Sequence, residues 1–256
     1  YEAFQRQQQE IESLETYIQK NKARASTAKQ AKSREKRLQK IERIEKPTKV
    51  PRPRFRFDVA FQPVSIVMKA FDLQAGYGRP LYDPVTLELK RGEKAAIVGR
   101  NGVGKTTTLK TMLGQLSAVK GTVELGDRVK PAYFVQEDNT HDTHSAFAEV
   151  HNAFPNLTRK EIRTALARCG LKSEHIFQPL KALSGGEQTK VRLCKLMLAD
   201  SNFLVLDEPT NHLDVEAKKV LEEALREYKG TVLVVSHDPA FYESWVTKVW
   251  DVEAWR

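Results

Sequence analysis

Gly99-Arg100-Asn101-Gly102-Val103-Gly104-Lys105-Thr106 decides the fold. Ala95-Ala96-Ile97-Val98 ahead of it reads as a buried strand, and a helix is predicted over Thr106–Leu116. A strand that ends in glycines and opens a helix is a phosphate loop. Gly99, Gly102 and Gly104 let the backbone wrap closely around phosphate oxygens, and consecutive N–H groups with the helix N-terminus supply positive potential. The nucleotide-binding stretch is therefore Gly99, Arg100, Asn101, Gly102, Val103, Gly104, Lys105, Thr106 and Thr107. Lys105 is placed to reach the β- and γ-phosphates, and the Thr106 hydroxyl to ligate Mg²⁺.

Other strand ends supply the groups such a loop needs. Phe203-Leu204-Val205-Leu206 is a buried strand that ends in Asp207-Glu208. Strand ends are where open α/β sheets place their ligands. Asp207 is the expected Mg²⁺ residue, and Glu208 the group that orients or deprotonates an attacking water. Gln136 ends the strand Ala132–Val135, where its amide would touch Mg²⁺ and that water. His237 follows the apolar strand over Thr231–Ser236, a position suited to the γ-phosphate and to charge developing in phosphoryl transfer. Tyr77 stands 28 positions before Lys105 and is the candidate adenine stacker; Tyr82 competes with it, and either suits plain core packing.

Ser184-Gly185-Gly186-Glu187-Gln188 lies 23 positions before Asp207. Ser184 at the N-cap and Glu187 three residues later form a capping box, whose ordinary task is to start a helix. Its bare N–H groups and hydroxyl also make an anion cradle. The cradle belongs to a second face, so the phosphate it meets would come from another copy.

The chain has 256 residues and a formal charge of +9. Residues 1–56 carry 16 Lys and Arg against 7 Glu, while residues 57–256 carry 26 against 26. A basic arm on a neutral body points to a polyanionic partner. Phe4, Ile11 and Ile18 recur every seven residues with Leu14 between them, a coiled-coil seam on a helix over 2–22. Ala23 to Ala31 reads as a bend, and a helix resumes over 32–46 until Pro47 stops it. The two pair as a helical hairpin over 1–46. Residues 47–63, with Pro47, Pro51 and Pro53, read as an extended linker. Residues 64–256 form the catalytic body, with a helical subdomain over about 140–195. Strands are predicted at 64–73, 85–89, 95–98, 122–125, 132–135, 203–206 and 231–236, and residues 144–180 are expected to be mostly helical. Alternating strands and helices imply α/β architecture with a mainly parallel sheet.

Cys169 and Cys194 lack metal spacing and suit buried thiols of a cytoplasmic protein. No apolar run approaches the ~20 residues that span a bilayer. Tyr1 opens the chain inside a helical pattern, so a piece of a longer polypeptide is expected.

Together these motifs resemble the ATP-binding cassette family over roughly residues 64–252: Walker A at 99–106, the glutamine loop at Gln136, the signature at 183–187, Walker B at 203–208, the D-loop around Asp214 and the switch His237. The resemblance implies a P-loop ATPase fold with an antiparallel β subdomain and a helical subdomain. It also implies a head-to-tail sandwich of two cassettes around two ATP molecules, with Ser184, Gly185 and Gly186 on the γ-phosphate held by the partner's Walker A. Glu208-Pro209-Thr210-Asn211-His212-Leu213-Asp214, with Glu187 in the signature, is similar to the ABC-F subfamily, soluble twin-cassette ATPases that often act on the ribosome. By that resemblance residues 1–46 are the interdomain linker, approaching tRNA through Lys20, Lys22, Arg24, Lys29, Lys32 and Arg34. The role would be a translation factor or an antibiotic-resistance factor. The alternative is the ATPase subunit of a membrane transporter, which leaves the hairpin unexplained. A repair ATPase with a long coil inside the cassette is disfavoured by the 79 positions from Lys105 to Ser184. A plain dimerisation coil is disfavoured by the short seam.

Overall fold

Thr231–Val235 is buried at every residue, as is Phe203–Asp207. Continuous apolar runs of four, Val232–Val235 and Phe203–Leu206, suit strands covered on both faces, as parallel sheets require. The computed structural model describes residues 2–21, 28–39, 41, 52–134 and 143–256. It forms two units, Tyr1–Val50 and Pro51–Arg256.

In the first unit, α1 (Glu2–Asn21) and α2 (Ala28–Gln39) form an antiparallel pair. Arg37 binds Glu10 at 2.6 Å, the Tyr17 hydroxyl donates to Gln30 Oε1 at 2.9 Å, and the Arg34 guanidinium lies 3.5 Å from the Tyr17 ring centre. The middle of α1 thus meets the end of α2, and the end of α1 meets its start. Ile11 and Leu14 are buried, and Ile18 is half-buried. The expected bend reached Ala31, but the helix resumes at Ala28, because Ala28 and Ala31 are the strongest of helix formers.

The second unit holds β1 (Ile66–Gln74), β2 (Val85–Lys90), β3 (Lys94–Val98), α3 (Lys105–Met112), β4 (Lys120–Leu125), β5 (Pro131–Phe134), α4 (Ala146–Ala153), α5 (Arg159–Arg168), α6 (Gly185–Leu198), β6 (Phe203–Asp207), α7 (Val215–Glu227), β7 (Thr231–Val235), α8 (Pro239–Tyr242) and β8 (Lys248–Asp251). Five strands form a parallel sheet in the order β5-β6-β7-β3-β8, and β2-β1-β4 form an antiparallel sheet. The period of two along each strand sorts the parallel sheet's side chains to its two faces. Leu204, Leu206, Val232 and Val234 join the core beneath α4–α7, whereas Phe203, Val205, Leu233 and Val235 join the core with α3 and the antiparallel sheet.

Register fixes what the strand ends share. Val235 of β7 pairs with Asp207 of β6 on one side and with Ile97 of β3 on the other. Gly99 and His237 each lie two residues beyond that level, so phosphate loop, carboxylates and histidine emerge side by side. Lys94 pins β3 to α7: its buried ammonium donates to the Leu225 and Arg226 carbonyls at 2.7 and 2.6 Å. Those are last-turn carbonyls that lack helical partners and attract a cation.

Several boundaries differ from expectation. Residues 144–180 hold two helices rather than a mostly helical run: ahead of Pro155, Phe154 leaves the helical region (φ −134°, ψ 69°) and α4 ends. The helix predicted over Thr106–Leu116 ends at Met112, because the chain turns through left-handed Gly114. The edge strand β8 and the short α8 gave too little apolar periodicity to be predicted. From Arg52 onward the stretch expected as a linker lies along the second unit. Pro53, Phe55 and Phe57 face inward in alternation with exposed Arg52, Arg54 and Arg56. The Arg54 N–H donates to the Arg168 carbonyl at 2.7 Å, and Phe57 meets Tyr228 edge-on at 6.3 Å.

Leu233→Ala, fully buried at the sheet centre, should destabilise the fold by about 2–5 kcal/mol in urea unfolding. Val215→Ala, at a residue 72% exposed, should change it by less than about 0.5 kcal/mol.

Candidate functional site

The phosphate loop follows from its glycines. Gly99, Gly102 and Gly104 all have positive φ, at 135°, 81° and 110°. Gly104 has a second constraint: a Cβ there would stand 2.5 Å from Leu81 Cδ1. Leu81 belongs to the turn that carries Tyr77, so this contact sets that turn against the loop. Tyr77 is 71% exposed, whereas Tyr82 is 4% exposed and packed edge-on to Trp255 at 5.0 Å. The two aromatic candidates therefore separate into a surface ring and a core ring.

Lys105 is 7% exposed, and its ammonium donates to the Gly99 and Arg100 carbonyls at 2.8 and 3.2 Å. It lies 3.9 Å from Glu208 Oε1. The Thr106 hydroxyl donates to Asp207 Oδ1 at 3.3 Å. Burial, then the neighbouring Glu208 charge, raise the Asp207 pKa against the opposing Thr106 hydrogen bond and the Lys110 and Lys105 charges. A desolvated carboxylate beside a threonine hydroxyl and a second carboxylate is a site that a divalent cation would relieve. The residues present fit Mg²⁺, which Thr106 and Asp207 would hold. Gln136, expected as a further contact, lies outside the described residues.

Glu208 sits at φ 47°, an unusual conformation for a residue with a side chain. Its N–H donates to the Val235 carbonyl at 3.0 Å, which turns the carboxylate out of the sheet end. His237 Nδ1 lies 2.7 Å from Glu208 Oε2. The structure therefore brings Lys105, Thr106, Asp207, Glu208 and His237 together.

The signature loop has its own construction. Ser184 caps α6: its hydroxyl accepts from the Glu187 N–H at 3.4 Å and donates to Glu187 Oε2 at 2.8 Å, and its N–H donates to the same oxygen at 3.0 Å. His175 Nδ1 bonds the other Glu187 oxygen. Glu187 is thus committed to holding Ser184. Despite burial, its pKa is lowered by the Ser184 side-chain and backbone hydrogen bonds and then by His175. The backs of the glycines are filled by the loop after β6. A Cβ on Gly185 would lie 3.1 Å from the His212 ring, and one on Gly186 would lie 2.7 Å from the His212 carbonyl. Asp214 caps α7, accepting from the Ala217 N–H at 2.7 Å, and lies 3.8 Å from Lys190.

Two contributors carried no sequence signal. His175 comes from an irregular segment 12 positions before Glu187. Glu253 accepts from the Arg100 N–H at 2.6 Å and packs beside Gly99, but it follows β8, which was not predicted. Of the hairpin cations, Lys20, Lys32 and Arg34 are exposed. Lys22 and Arg24 lie outside the described residues, as does the Lys29 side chain.

A family model described as ABC transporter matches residues 82–211, and a second, also described as ABC transporter, matches residues 1–57. The ABC transporter ATP-binding protein YfmM of Bacillus subtilis is 46% identical over 253 residues, covering 99% of this chain and 49% of that protein. ABC transporter F family member 2 of Arabidopsis thaliana is 39% identical over 261 residues, 98% of this chain and 38% of that protein. The chain spans about half or less of the length of these relatives. Among solved structures, a bacterial ABC transporter cassette, MJ0796 in dimeric form, superposes with a TM-score of 0.62 at 21% identity, over 72% of this chain and 94% of that one.

Because burial raises the Asp207 pKa, its contribution to stability is full below the ordinary carboxylate range and is lost as pH rises through the raised value. Asp207→Asn should therefore melt higher than the parent without nucleotide at neutral pH. That gap should close as pH falls into the ordinary carboxylate range. The variant should also lose the stabilisation given by Mg²⁺·ATP, all measured by differential scanning fluorimetry.

Proposed function

This chain belongs to the ABC transporter family, its relatives including F-family members, and on that premise we propose that it is one ATP-hydrolysing cassette of a twin-cassette protein that acts on the ribosome. The observation that carries the reading is the division of the site. Lys105, Thr106, Asp207, Glu208 and His237 converge, while the signature cradle stands on a different loop, braced for a ligand of its own.

ATP is bound through the loop amides of residues 99–107, with Lys105 against the β- and γ-phosphates and Tyr77 offering its exposed ring to the adenine. Thr106 and Asp207 hold Mg²⁺, with Gln136 as a further contact. The bound ion supplies charge neutralisation at the transferring phosphoryl group. Glu208 orients the attacking water and takes its proton. His237 holds the Glu208 carboxylate in place and faces the developing γ-phosphate charge. Ser184, Gly185 and Gly186 close the site of the second cassette, and that cassette's signature closes this one. Glu187 acts by positioning Ser184, and Asp214 by fixing the start of α7 beneath the signature glycines. A cassette alone is then a slow ATPase, working through a transient homodimer in which a second copy of the chain supplies the missing signature.

No helix among the described residues is long and apolar enough to cross a membrane. The antiparallel hairpin, with its surplus of lysine and arginine, is what a transporter cassette has no use for. It suits ribosomal RNA or tRNA, reached through Lys20, Lys22, Arg24, Lys29, Lys32 and Arg34, in the cytoplasm, as a translation or ribosome-protection factor.

The test is co-sedimentation with ribosomes. The Glu208→Gln chain should pellet with ribosomes in ATP·Mg²⁺ and be released by added salt, whereas the parent should be released as ATP is consumed. Retention independent of nucleotide and of salt would contradict the ribosomal role.

A further inference from the structure

A groove of about 910 Å³ runs between the extended segment after residue 51 and helix α5. Arg52, Arg54, Arg159, Lys160, Arg163 and Arg168 line it, and among the described residues no acidic one does. Two periodicities build it. Along the extended segment, Arg52 and Arg54 repeat every second residue, about 6.6 Å apart, while Pro53 and Phe55 face the core. Along α5, Arg159 and Arg163 repeat every fourth residue on one exposed face, while Ile162 and Leu166 are buried. The Arg54 N–H bonded to the Arg168 carbonyl holds the two walls together.

Two acids beside the groove do not cancel this charge. Glu216 pairs with Arg52 alone, at 3.0 Å, and Glu161 is turned back onto its cap residue Thr158. Arg159, Lys160, Arg163 and Arg168 belong to residues 57–256, which are balanced overall, so on the cassette they are a local concentration of cations. Like charges gathered in one cleft repel one another and focus positive potential.

An aromatic edge adds a second observation. Phe177 lines the groove and is 52% exposed. Its ring lies 5.5 Å from Phe147, which anchors it, and the Arg159 guanidinium lies 5.7 Å from the Phe147 ring centre. A cationic track with an exposed ring beside it matches single-stranded nucleic acid, whose backbone follows the charges while an unpaired base stacks on the ring. An acidic peptide would use the cations and leave the ring idle.

We propose that this groove on the cassette binds single-stranded RNA, with Arg54, Arg159, Arg163 and Arg168 on phosphates and Phe177 under a base. This deepens the ribosomal reading by giving the cassette an RNA contact separate from the hairpin.

The test is fluorescence anisotropy of the 256-residue chain with an oligouridylate of about 12 nucleotides across a salt series. Arg159→Ala/Arg163→Ala should weaken binding at least about tenfold and reduce the slope of log affinity against log salt by about 1.4, two phosphate contacts at about 0.7 each. Phe177→Ala should weaken binding at least about fivefold with the slope unchanged. Arg159→Lys/Arg163→Lys should retain the slope, showing that charge rather than packing is read. All the altered side chains are exposed, and thermal melts of each variant confirm folding. Parental affinity in both alanine variants would overturn the proposal. So would equal competition by oligoglutamate with no effect of Phe177→Ala, which would assign the groove to an acidic protein. Lys20→Glu/Lys32→Glu separates the two readings. Loss of ribosome co-sedimentation in that variant with oligouridylate binding intact leaves each contact standing by itself. Oligouridylate binding without any ribosome association in the parent chain removes the ribosomal reading and not the groove.

Discussion

One register holds the catalytic half together. Val235 sits level with Asp207 on one side and with Ile97 on the other, so two buried strands end at one height and the third one residue beyond it. The residues that follow have no sheet to continue into. Their backbone donors and side chains must find partners at the sheet's edge, and there the chain has gathered a lysine, a threonine, two carboxylates and a histidine. A one-residue slip of β6 would exchange Leu206 and Leu204 with Phe203 and Val205 across the sheet and send Asp207 into a core. The packing of the two apolar faces thereby sets the position of the chemistry.

The charges at that edge are poised rather than satisfied. Asp207 is desolvated with a second carboxylate adjacent, and Lys105 is folded onto the carbonyls of its own loop. Such an arrangement costs stability, a cost that bound phosphate and a divalent cation would relieve. The signature is built the other way. Its serine, glutamate and histidine form a closed relay, and His212 backs its glycines. A cradle preorganised this firmly but set on its own loop is suited to a ligand that arrives with a second cassette.

The phosphate loop, the Walker B strand and the capping box at Ser184 were legible because each is a short-range pattern with a local physical cause: glycines for curvature, four apolar residues for a buried strand, a serine and glutamate three apart. The hairpin was legible from its heptads and its charge. What escaped depends on distant partners. Glu253 reaches Arg100 across 153 positions through an edge strand with no clear alternation. His175 is set on Glu187 by an irregular turn. The cationic groove joins residues before 60 to a helix after 158, and a count of charges over 57–256 concealed it by averaging. Element ends are hidden where one residue decides them: Pro155 after α4, Gly114 after α3, Ala28 at the start of α2.

The reading that unites these features is a nucleotide site completed only when Lys105 of one cassette meets Ser184 of another. Subunit mixing addresses it directly. Lys105→Ala lacks a working phosphate loop and Ser184→Arg lacks a working cradle, so each chain should be inactive by itself. A mixed pair still contains one intact loop facing one intact cradle, and ATP hydrolysis should return when the two are combined. A Ser184→Arg chain that hydrolyses ATP as fast as the parent, with no gain on mixing, would show that each cassette encloses its own nucleotide and would contradict the account.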